Sequence, residues 1–150
     1  MDLRALSDKT PEPAAESVLL VPREVRFSVT YTAPDGTRHG GVLVSRVPNG
    51  DERVSVDRRA AVLAGAPWDH LSEYARARCN ALALVSVQLR DMPEWAATWA
   101  AEDDDLLFVL REECERHAAA WFRAALGARA GDASASRVAI TSSDLTNTAP

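Results

Sequence analysis

Four acids in a row, Glu102-Asp103-Asp104-Asp105, form the densest group of possible metal ligands in the chain, and two tryptophans, Trp95 and Trp99, stand just ahead of them. Carboxylates hold hard cations when they converge from several segments, usually with histidine or fixed carbonyls. Neighbouring residues of a helix point about 100° apart, so four in succession do not converge on one ion. Acids are at home where a helix begins, because free N–H groups and the positive end of the dipole lie there. The apolar run that starts at Leu106 predicts such a beginning, with Asp103 and Asp104 at the cap and first turn. From Glu94 to Arg116 the chain carries eight acids and two bases, which predicts a negative surface. Trp95 and Trp99 are four residues apart and share one helix face. That face either enters the core or anchors a protein partner. Trp95, Trp99, Glu102, Asp103 and Glu112 are therefore the candidate partner-binding residues.

The other reactive side chains make weaker patterns. His39, His70 and His117 are not joined by any HxxxH or HxxE spacing. Cys114 and His117, three apart on one helix, would supply half of a zinc site, with only Cys79 or His70 available for the rest. The simpler reading is a histidine at the edge of the core. Cys79 and Cys114 have no CxxC partner and lie in apolar helical patterns, as small buried hydrophobes do in a reducing compartment. A disulfide between them is left open. No GxSxG elbow is present. The glycine-containing stretch APDGTRHGG lacks the GxxxxGK[ST] spacing and joins two strands, so it is not a phosphate loop. No catalytic, cofactor-binding or metal-binding residue is assigned, and the chain is read as a non-enzyme.

Composition narrows the class further. The 150 residues suffice for one domain with a real core. With 47% hydrophobic and 26% charged residues, the mixture is that of a water-soluble globular protein. A net charge of −5 argues against a nucleic-acid partner. The first residues are polar and carry no secretory signal. The longest apolar run, Ala81 to Val87, is far short of a membrane span. The expected location is the cytoplasm, with no membrane partner.

The elements that must position these residues follow from periodicity. Residues 1–20 read as a flexible N-terminal arm and 128–150 as a disordered C-terminal tail, leaving a domain over 21–127. Val25, Phe27, Val29 and Tyr31 alternate with polar residues, which gives a half-buried strand. Pro34-Asp35-Gly36 signals a turn. A second strand follows, with Leu43, Ser45 and Val47 on one face and Val42 and Val44 on the other. The hairpin spans about 25–47, and because an isolated hairpin is marginal it should pack on the helices through Val25, Phe27, Val29 and Tyr31 and invite pairing with a second copy. Helices are expected at about 51–65, capped by Asp51, at 69–90, capped by Asp69, at 94–101, and at 104–126, with Gly127 as its terminator. The helix over 69–90 is apolar on most sides and should be central. Leu82, Val85, Leu89, Leu107, Leu110 and Trp121 are expected to be mostly buried. The fold class is α+β: an N-terminal antiparallel β-hairpin followed by a bundle of three to four helices.

The order of these pieces resembles the phage tail assembly chaperones, small proteins encoded just before the tape measure gene of tailed phages. The resemblance covers about residues 26–122. It is carried by RFSVTYTAPDGTRHGGVLVSRV as strand-turn-strand, by Arg59-Ala60-Ala61-Val62-Leu63-Ala64-Gly65 in the first helix, by Pro93-Glu94-Trp95 at the break, and by Glu112-Glu113 in the last helix. The family's second glycine after that first helix is Ala66 here. The resemblance implies a protein without cofactors that binds the long apolar helices of the tape measure protein, keeps them soluble, and helps tail tube subunits assemble. It also implies that a longer, frameshifted form exists in many members. It specifies no catalytic or ligand residues. The alternatives are a structural virion component, such as a baseplate or tail-completion protein, and a bacterial protein-interaction domain.

Overall fold

The computed structural model describes residues 21–132, with side chains through Arg129; the expected N-terminal arm and residues 133–150 of the expected tail lie outside the described residues. Strand β1 (Glu24–Thr32) pairs antiparallel with β2 (Arg38–Arg46) along its whole length, from Glu24 opposite Arg46 to Thr32 opposite Arg38. The turn closes with Gly36 at φ 85°, a left-handed conformation that glycine adopts without strain. Asp35 Oδ1 accepts the Thr37 N–H at 2.8 Å, as aspartate does in such turns. The alternation held: Phe27, Val29, Tyr31 and Leu43 face the core, while Arg26, Ser28 and Thr30 face outward. A third strand, β3 (Leu89–Arg90), adds to β2 and makes the sheet order β1-β2-β3.

Four helices follow the hairpin, so the α+β architecture of hairpin plus helical bundle is the fold. Helix α1 (Gly50–Ala64) is capped by Asn49, not Asp51. Asn49 Oδ1 accepts the Glu52 N–H at 2.8 Å, and Glu52 Oε2 accepts the Asn49 N–H at 2.8 Å, a reciprocal capping box. Gly65 at φ 60° ends it. The expected helix over 69–90 is divided. Trp68–His70 form a single 3-10 turn, and Ser72, rather than Asp69, caps α2 (Glu73–Gln88). The chain then leaves helical geometry at Leu89 and is re-aimed by Asp91, whose φ is 51°. Helix α3 (Glu94–Glu102) starts at Pro93. Helix α4 (Asp104–Asp132) runs through Gly127 without breaking, so residues 128–132 are helical rather than tail. Alanines 124, 125, 128 and 130 flank that glycine, and a single interior glycine costs only about 1 kcal/mol against so strong a helical context.

Helix α2 packs against α1, α4 and β3. The core joins Leu43 of β2 to Ala81, Val85 and Leu89, to Ala96 and Ala100 of α3, and to Leu106, Leu107, Leu110 and Cys114 of α4. Leu82 and Trp121, expected to be mostly buried, are only half-buried. At Leu82 the neighbouring alanines 81 and 83 take the fully buried positions, because the elements approach α2 closely there. Trp121 lies where α4 runs toward the edge of the domain, beyond the last fully buried leucine at 110. Cys79 and Cys114 are both free thiols.

Candidate partner-binding site

The acidic run is a junction between two helices. Asp103 ends α3, and its Oδ1 accepts the Asp105 N–H at 2.9 Å, so it caps α4. Its other oxygen accepts the Tyr31 hydroxyl. That bond and the backbone N–H groups of Asp105 and Leu106 hold the Asp103 carboxyl below the usual range against partial desolvation. Asp104 accepts Arg78 Nε at 2.9 Å and the Tyr74 hydroxyl, which ties α2 to the start of α4. Glu102, Asp105 and Glu112 are exposed. Among the described residues no group of three or more His, Cys, Asp or Glu side chains is placed to hold a metal ion.

Trp95 and Trp99 do share a face, and both are half-buried. Trp95 stacks on His39 at 5.0 Å and on Tyr31 at 6.4 Å between ring centroids, and Trp99 lies 6.1 Å from Tyr31 in a tilted contact. Gly41 lies beside this stack, where a Cβ would meet Pro93 Cγ and Trp95 Cζ2 at 3.6 Å, an ordinary contact distance. The tryptophan pair therefore clamps α3 to the turn end of the hairpin. The five candidate residues are brought into one region, but they divide into two packed tryptophans, one capping aspartate and two free glutamates.

A buried polar chain was not anticipated. Gln88 Nε2 donates to Ser45 Oγ at 3.0 Å and to the Cys114 carbonyl at 2.7 Å. Ser45 Oγ lies 2.8 Å from His117 Nδ1, and His117 Nε2 lies 2.9 Å from the Pro22 carbonyl. The carbonyl only accepts, so Nε2 carries a proton, and in the neutral imidazole Nδ1 is then the acceptor for the Ser45 hydroxyl. A serine donating to a histidine is the pairing that makes hydroxyl nucleophiles. Here Ser45 is 0% exposed and Gln88 1% exposed, so the hydroxyl meets no solvent. The chain ties β2, α2, α4 and the entry to β1 together. Burial pushes the adjacent Cys114 thiol up to about 12, which keeps it protonated and unreactive. The available signal was a polar residue on each inward face: Ser45 between Leu43 and Val47, and His117 on the stripe of Cys114.

Beside this chain, α1, α2 and α4 leave an open apolar groove of about 330 Å³, lined by Pro48, Val56, Leu84, Ala118 and Phe122, with Arg53, Asp57 and Glu115 at its edges and Gln88 within it. Pockets that hold small ligands run from about 300 to 1,000 Å³. Arg53 lies over the Phe122 ring at 4.6 Å and holds it against α1. Gln88 Oε1 is buried and has no hydrogen-bond partner among the described residues. Further along α1, Val54, Val62 and Leu63 are exposed, Val62 by 79%. No family model matches the chain, and neither does any curated protein or solved structure. Among the described residues no helix is long and apolar enough to cross a membrane.

Proposed function

We propose that this domain is a non-catalytic binding module of the tail assembly chaperone kind, which holds an apolar helical segment of a tape measure protein in the groove between α1, α2 and α4. The groove is the observation that carries the reading. Its walls are mostly apolar, three helices contribute to them, and its charged lining residues are Asp57 and Glu115 against the one arginine, Arg53. An amphipathic helix enters such a groove through side chains at i, i+3, i+4 and i+7. Lysines or arginines flanking its apolar face would meet Asp57 and Glu115, which favours the right orientation and encounter more than raw affinity. The order of hairpin, helices and Pro93-Glu94-Trp95 break supports the family assignment. The burial of Ser45, the one hydroxyl paired with a histidine side chain among the described residues, supports a binding rather than a catalytic role.

This reading places the partner on a different face from Trp95 and Trp99, whose rings are occupied by the hairpin. Their part is to fix α3, while exposed Glu102 and Glu112 keep the complex soluble. The experiment is co-expression with the product of the gene directly downstream. A tape measure product that is soluble and co-purifies only with this protein supports the proposal. One equally soluble alone, or this protein found as a stoichiometric part of purified particles, favours a structural virion component instead.

A further inference from the structure

Among the described residues, strand β1 has a partner on one side only. Two backbone bonds fix the phase of its ladder: Val47 N–H to the Arg23 carbonyl and Ala33 N–H to the Thr37 carbonyl, both 2.8 Å. In an antiparallel pair the hydrogen-bonded positions alternate. Odd-numbered residues from Val25 to Tyr31 therefore point their N–H and C=O groups at β2. Glu24, Arg26, Ser28, Thr30 and Thr32 point theirs away from the sheet, where β1 pairs with no other strand among the described residues. The edge is nine residues long and contains no proline, no glycine and no lysine. Proline and lysine are two of the devices by which monomeric proteins blunt an exposed edge, and the only charges on this one are Glu24 and Arg26 near its start.

Among the described residues, nothing fills the space beside that edge either. Two shallow hollows of about 250 and 300 Å³ lie between β1 and α4, the first mostly apolar and the second half polar, and Val25, Phe27, Val29, Val109, Glu113 and Arg116 are among the residues that line them. Val109, on the face of α4 turned toward this strip, is 52% exposed. A strand added to β1 would place every second side chain over these hollows.

We propose that the occupant is β1 of a second copy, added antiparallel about a two-fold axis through Ser28, so that two three-stranded sheets become one of six strands. The sequence of the strand is self-complementary in that register. Ser28 faces Ser28 of the second copy, Arg26 faces Thr30, Glu24 faces Thr32, and no like charges oppose. On the inner face Phe27 meets Val29 and Val25 meets Tyr31, so each copy sends apolar side chains over the other's hollows. Full overlap forms on the order of ten backbone hydrogen bonds across the axis. Shifting the axis to Arg26 would oppose two arginines and shorten the overlap. The proposal does not depend on the chaperone reading, since it uses neither the groove nor the partner.

The test is sedimentation equilibrium of the full chain over a wide concentration range, with charge variants at one position. Thr30→Glu sets a glutamate against Arg26 twice per dimer and should tighten it. Thr30→Arg sets two arginines together and should loosen it. Each change should move the dissociation constant by roughly 2- to 30-fold, in opposite directions. Ser28→Pro removes an outward N–H that β2 does not use and should give monomer, and Ser28→Cys should give a covalent dimer on oxidation that wild type does not. Thr30 is exposed on an outward face, so its variants fold even where Ser28→Pro does not. A monomer at every concentration, or equal constants for Thr30→Glu and Thr30→Arg, would overturn the proposal.

Discussion

Replacing Ser45 by alanine takes one oxygen from the middle of a sealed chain of hydrogen bonds. His117 Nδ1 then loses its donor, and one hydrogen of the Gln88 amide loses its acceptor. Neither finds water easily, because Gln88 is 1% and His117 8% exposed. A buried polar group left unsatisfied costs about 1–3 kcal/mol. Two such groups, less the desolvation that the hydroxyl itself no longer suffers, give an expected loss of about 2–4 kcal/mol. For a domain of this size that lowers the melting temperature by roughly 8–16 °C. The assay is equilibrium unfolding in urea of Ser45→Ala, His117→Ala and the double variant. In the His117→Ala background the serine has already lost its acceptor, so Ser45→Ala should cost less there. The coupling should fall at about 0.5–3 kcal/mol. A loss below about 0.5 kcal/mol with an unchanged slope, or strict additivity, would refute the view that this chain holds the sheet to the helices.

Leu110→Ala, at a fully buried position of α4, should cost about 2–5 kcal/mol, whereas Val109→Ala next to it, half exposed, should stay within about 0.5 kcal/mol; similar losses at both would mean that the buried face of α4 is misassigned. Stability should also fall at both ends of the pH scale through one contact. Asp103, held below its ordinary range in the folded state, contributes above the unfolded carboxylate value, and that contribution is lost as pH falls through the folded one; Asp103→Asn should flatten the acid limb. Burial first, and the Asp103 contact second, push the Tyr31 hydroxyl from 10.0 to about 12, so its contribution is present below the unfolded value and lost as pH rises between them. Tyr31→Phe should remove that alkaline loss, and an alkaline limb unchanged in that variant would contradict the assignment.

How far the chain could be read in advance depended on the range of the signal. The hairpin was legible because a period of two over Val25 to Tyr31 and a Pro-Asp-Gly turn are local facts, and its inward face followed from them. The bundle was legible from helical stripes. Boundaries were less so. Asn49 and Glu52 stand three apart as a capping box, yet Asp51 competes for the same role. Gly127 looks like a terminator and is overruled by the alanines around it. Strand β3 is two residues long, too short to carry any period. The Ser45, Gln88 and His117 chain joins residues 43 and 72 positions apart, so only the polar character of inward positions hinted at it. Trp95 and Trp99 were rightly placed on one face, but what that face meets depends on the path of the hairpin, which brings Tyr31 and His39 to it. The groove depends on how α1 lies across α2 and α4, which no single helix encodes.

The claim that a helical partner sits between α1, α2 and α4 is tested most directly by a charge placed in that groove. Val56→Asp puts a carboxylate on its apolar wall, and Thr98→Asp puts the same charge on an exposed site of α3 that lines neither this groove nor the hollows beside β1. Both variants, checked for an unchanged fold by their melting curves, are titrated against the tape measure product held soluble as a fragment. The account predicts that Val56→Asp weakens binding by roughly 30-fold or more, as loss of a central anchor does, while Thr98→Asp leaves it within about 3-fold. Equal affinity for Val56→Asp and the wild-type protein would contradict it.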